Sequence, residues 1–120
     1  MSETTYAMRT TLTIVPEVEY LNKQASELVS AGNTVQAREL LDKALELDPF
    51  SADTWFNKGN CLDDLGNYGE AVECYNQAIR MDPGHAETWY NKGISLKKLG
   101  RTKEAESCIN HAVSLALGVE

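Results

Sequence analysis

A chain of 120 residues has the length of a single domain, and 42% hydrophobic with 24% charged residues suits a globular fold in water. The formal net charge of −7 argues against nucleic acid as a partner, because phosphate binding needs a basic face. No apolar run approaches the roughly 20 residues that span a bilayer. The start, Met1 to Thr5, lacks a signal peptide's basic and apolar regions, and three cysteines make no even disulfide framework. A reduced, cytoplasmic protein with no membrane partner is expected.

Residues 1–16 read as an N-terminal arm, extended or flexible. Tyr6, Met8, Leu12 and Ile14 fall on even positions, a period of two rather than a helical one. Pro16 suits a first helical turn, so the first helix is expected at about 17–31, with Leu21, Ala25 and Leu28 as its apolar stripe. Gly32 ends it. A second helix over about 35–47 turns Ala37, Leu41 and Ala44 inward, and Asp48-Pro49 stops it. Further helices follow at about 52–65 and 69–81, parted by Gly66, and at about 86–99 and 103–117, parted by Gly100.

These segments repeat with a fixed period of 34. Trp55 and Trp89, Gly59 and Gly93, Gly66 and Gly100, Ala71 and Ala105, and Cys74 and Cys108 are each 34 apart. The same step backwards lands on Leu21, Ala25, Gly32, Ala37, Leu41 and Asp48-Pro49. A period of this size marks stacked repeats. Small residues at Gly59, Ala71, Gly93 and Ala105 suit a close crossing of paired helices. Trp55 and Trp89 are expected to pack on the second helix of the preceding repeat. Lys58 and Lys92 can lay their stems on the seam with the ammonium outward.

The pattern resembles the tetratricopeptide repeat. Trp55, Gly59, Ala71, Tyr75 and Pro83 stand at its signature positions, then Trp89, Gly93 and Ala105, with a weaker first copy at Ala37, Leu41 and Pro49. The resemblance implies an all-α solenoid of three helix-turn-helix hairpins, six helices in a right-handed superhelical stack with a concave groove. The three-repeat domain would cover residues 17–119, with repeats at 18–51, 52–85 and 86–119. It also implies a protein-binding scaffold. Carried over by position, the groove is lined by Glu19, Asn22, Lys23 and Ser26, by Asp53, Phe56, Asn57, Asn60 and Asp64, and by Glu87, Tyr90, Asn91, Ile94 and Lys98. An asparagine amide both donates and accepts, so it can hold a peptide backbone. Phe56 and Tyr90 offer rigid anchors. Family members that grip chaperone C-termini use a clamp of Lys, Asn, Asn, Lys and Arg. The matching positions here are Asn22, Ser26, Asn57, Glu87 and Asn91, so that subtype is disfavoured.

No catalytic set, cofactor site or metal site is expected. His111 shares a face with Cys108 but has no further ligands, and zinc wants four. Asp63-Asp64 and Lys97-Lys98 occupy equivalent positions in neighbouring repeats and are expected to pair as solvated charges. The end of the chain points to a second function. Ile109, Val113 and Leu117 share an apolar face that a next repeat would cover. A structural self-assembly unit, a homodimer through this C-terminal end or the N-terminal arm, is therefore the alternative to binding a peptide, tail or helix of a partner protein.

Overall fold

The computed structural model describes the backbone of residues 3–119 and the side chains from Val15 to Val119. Six helices follow one another: α1 Glu3–Ser30, α2 Thr34–Leu47, α3 Ala52–Asp64, α4 Tyr68–Met81, α5 Ala86–Lys98 and α6 Thr102–Leu117. They form three antiparallel hairpins, α1 with α2, α3 with α4 and α5 with α6, stacked in chain order. The described residues contain no strand.

The expected extended arm is a correction. The backbone of residues 3–16 belongs to α1, with Pro16 inside the helix. Proline removes a single N–H donor, and extending an existing helix is far easier than starting one. Met8, Leu12 and Val15 also have helical i, i+4, i+7 spacing, so the short alternation did not separate the two periods. What the side chains of residues 6–14 pack against lies outside the described residues. At 28 residues α1 is about 42 Å long, roughly twice α3.

Each hairpin turns through the same device. At Gly66 φ is +82°, Gly66 N–H donates to Asp63 O at 3.0 Å, and Asn67 N–H donates to Leu62 O at 2.8 Å. Gly32 and Gly100 repeat this pattern at φ +83° and +80°. The left-handed residue lets two orphan helix carbonyls find donors before the chain reverses. The helices within a hairpin then approach closely. A methyl group placed on Gly59 would lie 2.5 Å from Tyr75 Cε1, and one on Gly93 would lie 2.6 Å from Ile109 Cγ1.

Three apolar clusters hold the stack together. Ala25, Ala37, Leu41 and Cys61 join α1, α2 and α3; Leu62, Ala71, Cys74 and Tyr75 fill the second hairpin; Val72, Leu96, Ala105 and Cys108 join α4, α5 and α6. Trp89 packs on the cluster of Val72, Leu96, Ala105 and Cys108, of which Val72 belongs to the preceding repeat. Trp55 packs on the cluster of its own hairpin, Leu62, Ala71, Cys74 and Tyr75. Both indoles still reach backwards. Trp55 Nε1 donates to Pro49 O at 2.7 Å and Trp89 Nε1 to Pro83 O at 2.9 Å, which ties each repeat to the carbonyl ending the one before.

Lys58 and Lys92 lie over the rings of Trp55 and Trp89, with Nζ 5.8 and 5.6 Å from the ring centres. Lys58 Nζ also sits 2.8 Å from Asp42 Oδ1, at an angle that makes it an ion pair more than a hydrogen bond. His111 is exposed and stands edge-on to Trp89, with ring centres 4.3 Å apart.

Candidate functional site

The first helices of the three hairpins, α1, α3 and α5, border a row of hollows. A hollow of about 470 Å³ lies between α1 and α3 and includes Glu19, Asn22, Lys23, Ser26, Asp53, Phe56 and Asn57. A second of about 200 Å³ lies between α3 and α5, lined by Asn60, Asp63, Asp64, Asn91 and Ile94 with Val29 and Tyr75. A third of about 130 Å³ lies between them and shares Asn57 and Asn60.

Four half-buried asparagines link these helices. Asn57 Nδ2 donates to Asn22 Oδ1 at 2.9 Å, while Asn22 Nδ2 donates to Val18 O at 3.0 Å and Thr54 Oγ1 at 2.8 Å. One repeat later, Asn91 Nδ2 donates to Asn60 Oδ1 at 3.0 Å, and Tyr75 Oη donates to the same oxygen at 2.7 Å. The two rungs orient the amides. Among the described residues, Asn57 Oδ1 and Asn91 Oδ1 accept no hydrogen bond. Burial, with Asp63 nearby, pushes the Tyr75 phenol well above its ordinary pKa and keeps its proton in place for Asn60.

Other polar groups here are occupied. Ser95 Oγ donates to Asp63 Oδ1 at 2.8 Å, Lys98 Nζ to Asp63 Oδ2 at 3.1 Å, and Thr34 Oγ1 to Asp64 Oδ2 at 2.7 Å. Lys98 also lies 4.9 Å from the centre of the Tyr68 ring. The expected charge pairing therefore takes the form Lys98–Asp63, and it holds Lys98 against α3 and α4. The structure parts Tyr90 from Asn91. Tyr90 borders a separate, mostly apolar hollow of about 300 Å³ with Ala86, Glu87, Ala112, Val113 and Ala116.

Sequence reasoning did not find Val15, Val18, Asp48, Ser51 and His85, which complete the large hollow. Ser51 and His85 are 34 residues apart and precede α3 and α5. Ser51 Oγ accepts from Thr54 N–H at 3.3 Å, and His85 Nδ1 is 2.6 Å from Thr88 Oγ1. Their equivalence was a signal, since each stands at the N-cap position of the first helix of a hairpin, although only the Ser51 side chain bonds a helix N–H. Cys61, Cys74 and Cys108 are buried and free; burial raises the first two thiols to about pH 11 and Cys108 in the same direction. Thiols held protonated this way are poor nucleophiles. Among the described residues, no three His, Cys, Asp or Glu side chains gather as a metal site.

Tetratricopeptide repeat models match residues 52–85 and 74–107. Residues 52–107, a little under half of the chain, are thus similar to tetratricopeptide repeats. The chain is 40% identical over 48 residues to the uncharacterized protein MJ0572 of Methanocaldococcus jannaschii, a stretch covering 40% of this chain and 56% of that protein. The chain thus spans about half the length of that relative. Among solved structures, the second tetratricopeptide domain of Spaghetti (RPAP3) bound to the HSP90 peptide SRMEEVD has a TM-score of 0.80 at 19% identity, covering 82% of this chain and 92% of that one. A MamA structure (AMB-1) gives 0.79 at 25% identity, covering 86% and 61%. YrrB, described as having an unusual peptide-binding site, gives 0.77 at 24% identity, covering 82% and 51%. The Spaghetti and YrrB likenesses are of fold alone.

The repeat frame also locates the expected self-association residues. Ile109 is half-buried against Gly93 of its own hairpin. Val113 is 49% and Leu117 70% exposed, whereas Tyr75, the counterpart of Ile109 one repeat earlier, is 1% exposed. Among the described residues, no helix is long and apolar enough to cross a membrane.

Proposed function

We propose that this domain binds an extended segment of a partner protein along the hollows bordered by α1, α3 and α5. The observation that supports it is the pair of asparagine rungs. They hold Asn57 and Asn91 over neighbouring hollows, each with a carbonyl oxygen left to accept a peptide N–H. Amides fixed beforehand lose little side-chain entropy when a ligand arrives. Phe56, half-buried in the same wall, is the apolar anchor. Spaghetti, with the same fold, holds a peptide. The role is that of an interaction scaffold rather than an enzyme, and three buried thiols fit a reducing cytoplasm. The test is capture from native lysate read by mass spectrometry, wild type beside Asn57→Ala with Asn91→Ala. Proteins lost with the double variant, while its helicity is unchanged, support the reading. An identical captured set contradicts it.

A second reading is self-association through the end of α6. It is favoured by the apolar hollow at Tyr90 and Val113 and by the exposed Leu117. Sedimentation at tens of micromolar tests it. A concentration-dependent mass abolished by Val113→Asp supports it, and a constant monomer mass removes it.

A further inference from the structure

We propose that the large hollow between α1 and α3 seats an arginine of the partner, so that the domain selects basic extended segments. This rests on the groove reading above and adds the partner's chemistry to it. Glu19, Asp48 and Asp53 line the hollow, and among the described residues Lys23 is the one lysine or arginine that does. Glu19 and Asp53 are exposed, from α1 and the first turn of α3; Asp48 accepts the Phe50 N–H with Oδ1 at 2.9 Å. None of the basic residues of the third repeat is among the described residues lining this hollow, and Lys98 is held at Asp63. With three carboxylates against Lys23 the described wall has a net negative charge, and a concave wall focuses that field on its opening.

The walls favour a guanidinium over an ammonium. Phe56 stands in the hollow, steadied edge-on by His85 with ring centres 5.1 Å apart. A planar guanidinium stacks on an aromatic face and forks to carboxylates at once, which a compact ammonium cannot do. Val15, 47% exposed at the hollow's edge, meets the aliphatic stem. A peptide such as SRMEEVD offers one arginine but three carboxylate side chains, which the acidic hollow repels.

The experiment is selection of a displayed library of random extended peptides on the full chain at about 50 mM salt, followed by titration of the winners. Arginine should be enriched, with lysine behind it. Glu19→Gln with Asp53→Asn should weaken the winners about tenfold or more, as should raising salt to about 500 mM. Both positions are exposed, and an unchanged melting curve verifies the fold. If the winners lack basic residues but fail on Asn57→Ala with Asn91→Ala, the groove reading stands and this proposal is overturned. If replacing the arginine of a selected peptide by glutamine leaves its affinity unchanged, it is overturned as well. If no peptide is selected, or none responds to the asparagine changes, both readings fall.

Discussion

Asn57 donates its side-chain amide to Asn22 Oδ1 at 2.9 Å, joining α3 to α1 across the boundary between repeats. The bond spans two half-buried groups, so it acts on stability as well as on shape. A double-mutant cycle of Asn22→Ala and Asn57→Ala in urea should give a coupling of about 0.5–1.5 kcal/mol. Additive losses would mean that the rung does not fasten the repeats.

Gly59 has no room for a methyl group. Tyr75 cannot swing away easily, because it is 1% exposed and its hydroxyl is bound to Asn60. At Gly93 the neighbours include the Ala105 carbonyl at 3.1 Å, which is backbone. Alanine at either site should cost about 1–3 kcal/mol despite its better helix propensity. Thermal melts check this, and a rise in Tm for either variant would contradict the packing described.

Asp63 and Lys98 form an ion pair but should respond unequally to truncation. Lys98 is exposed, so Lys98→Ala should cost no more than about 1 kcal/mol. Asp63→Ala strands the hydroxyl of Ser95, which is fully buried, and should cost about 1–3 kcal/mol. Equal losses in urea denaturation would mean that Asp63 does not serve Ser95.

Alkaline pH should weaken the fold through the thiols. Cys61 and Cys74 ionise near pH 11 when folded, mainly because they are buried, against 9.0 for the model thiol. Above about pH 9 the unfolded chain releases these protons and the folded chain keeps them, so unfolding is favoured as pH rises. Their contribution is whole below pH 9 and is lost progressively through about pH 11. The slope is at most about 1.4 kcal/mol per pH unit for each thiol. Cys61→Ala with Cys74→Ala should lower stability at neutral pH and flatten this decline. An unchanged decline would place its origin elsewhere.

The stack was legible because its determinants are local and recur every 34 residues. Glycines that accept positive φ at 32, 66 and 100 set the hairpins, and Asp-Pro pairs at 48–49 and 82–83 end them. The first residues of α1 were not, since a few alternating apolar positions fit two periods at once. The asparagine rungs were half legible. Asn57 and Asn91 are equivalent by register, but their partners are not. Asn22 lies 35 residues before Asn57, and Asn60 lies 31 before Asn91. Neighbouring helices meet across register, and a period read from sequence has no means to show which offset brings two side chains together. Tyr90 shows the converse. It is equivalent to Phe56, but the counterpart of His85 is Val119, which has no ring to stand against it, and the same position borders a different hollow.

The most direct test of the groove is a nitrogen–proton NMR titration of the full chain with the tightest peptide from the selection. The account expects the side-chain amide signals of Asn57 and Asn91 to move on binding, along with backbone signals around Phe56, while Val113 and Leu117 stay still. Shifts confined to α6, with both asparagine amides unmoved, would contradict it.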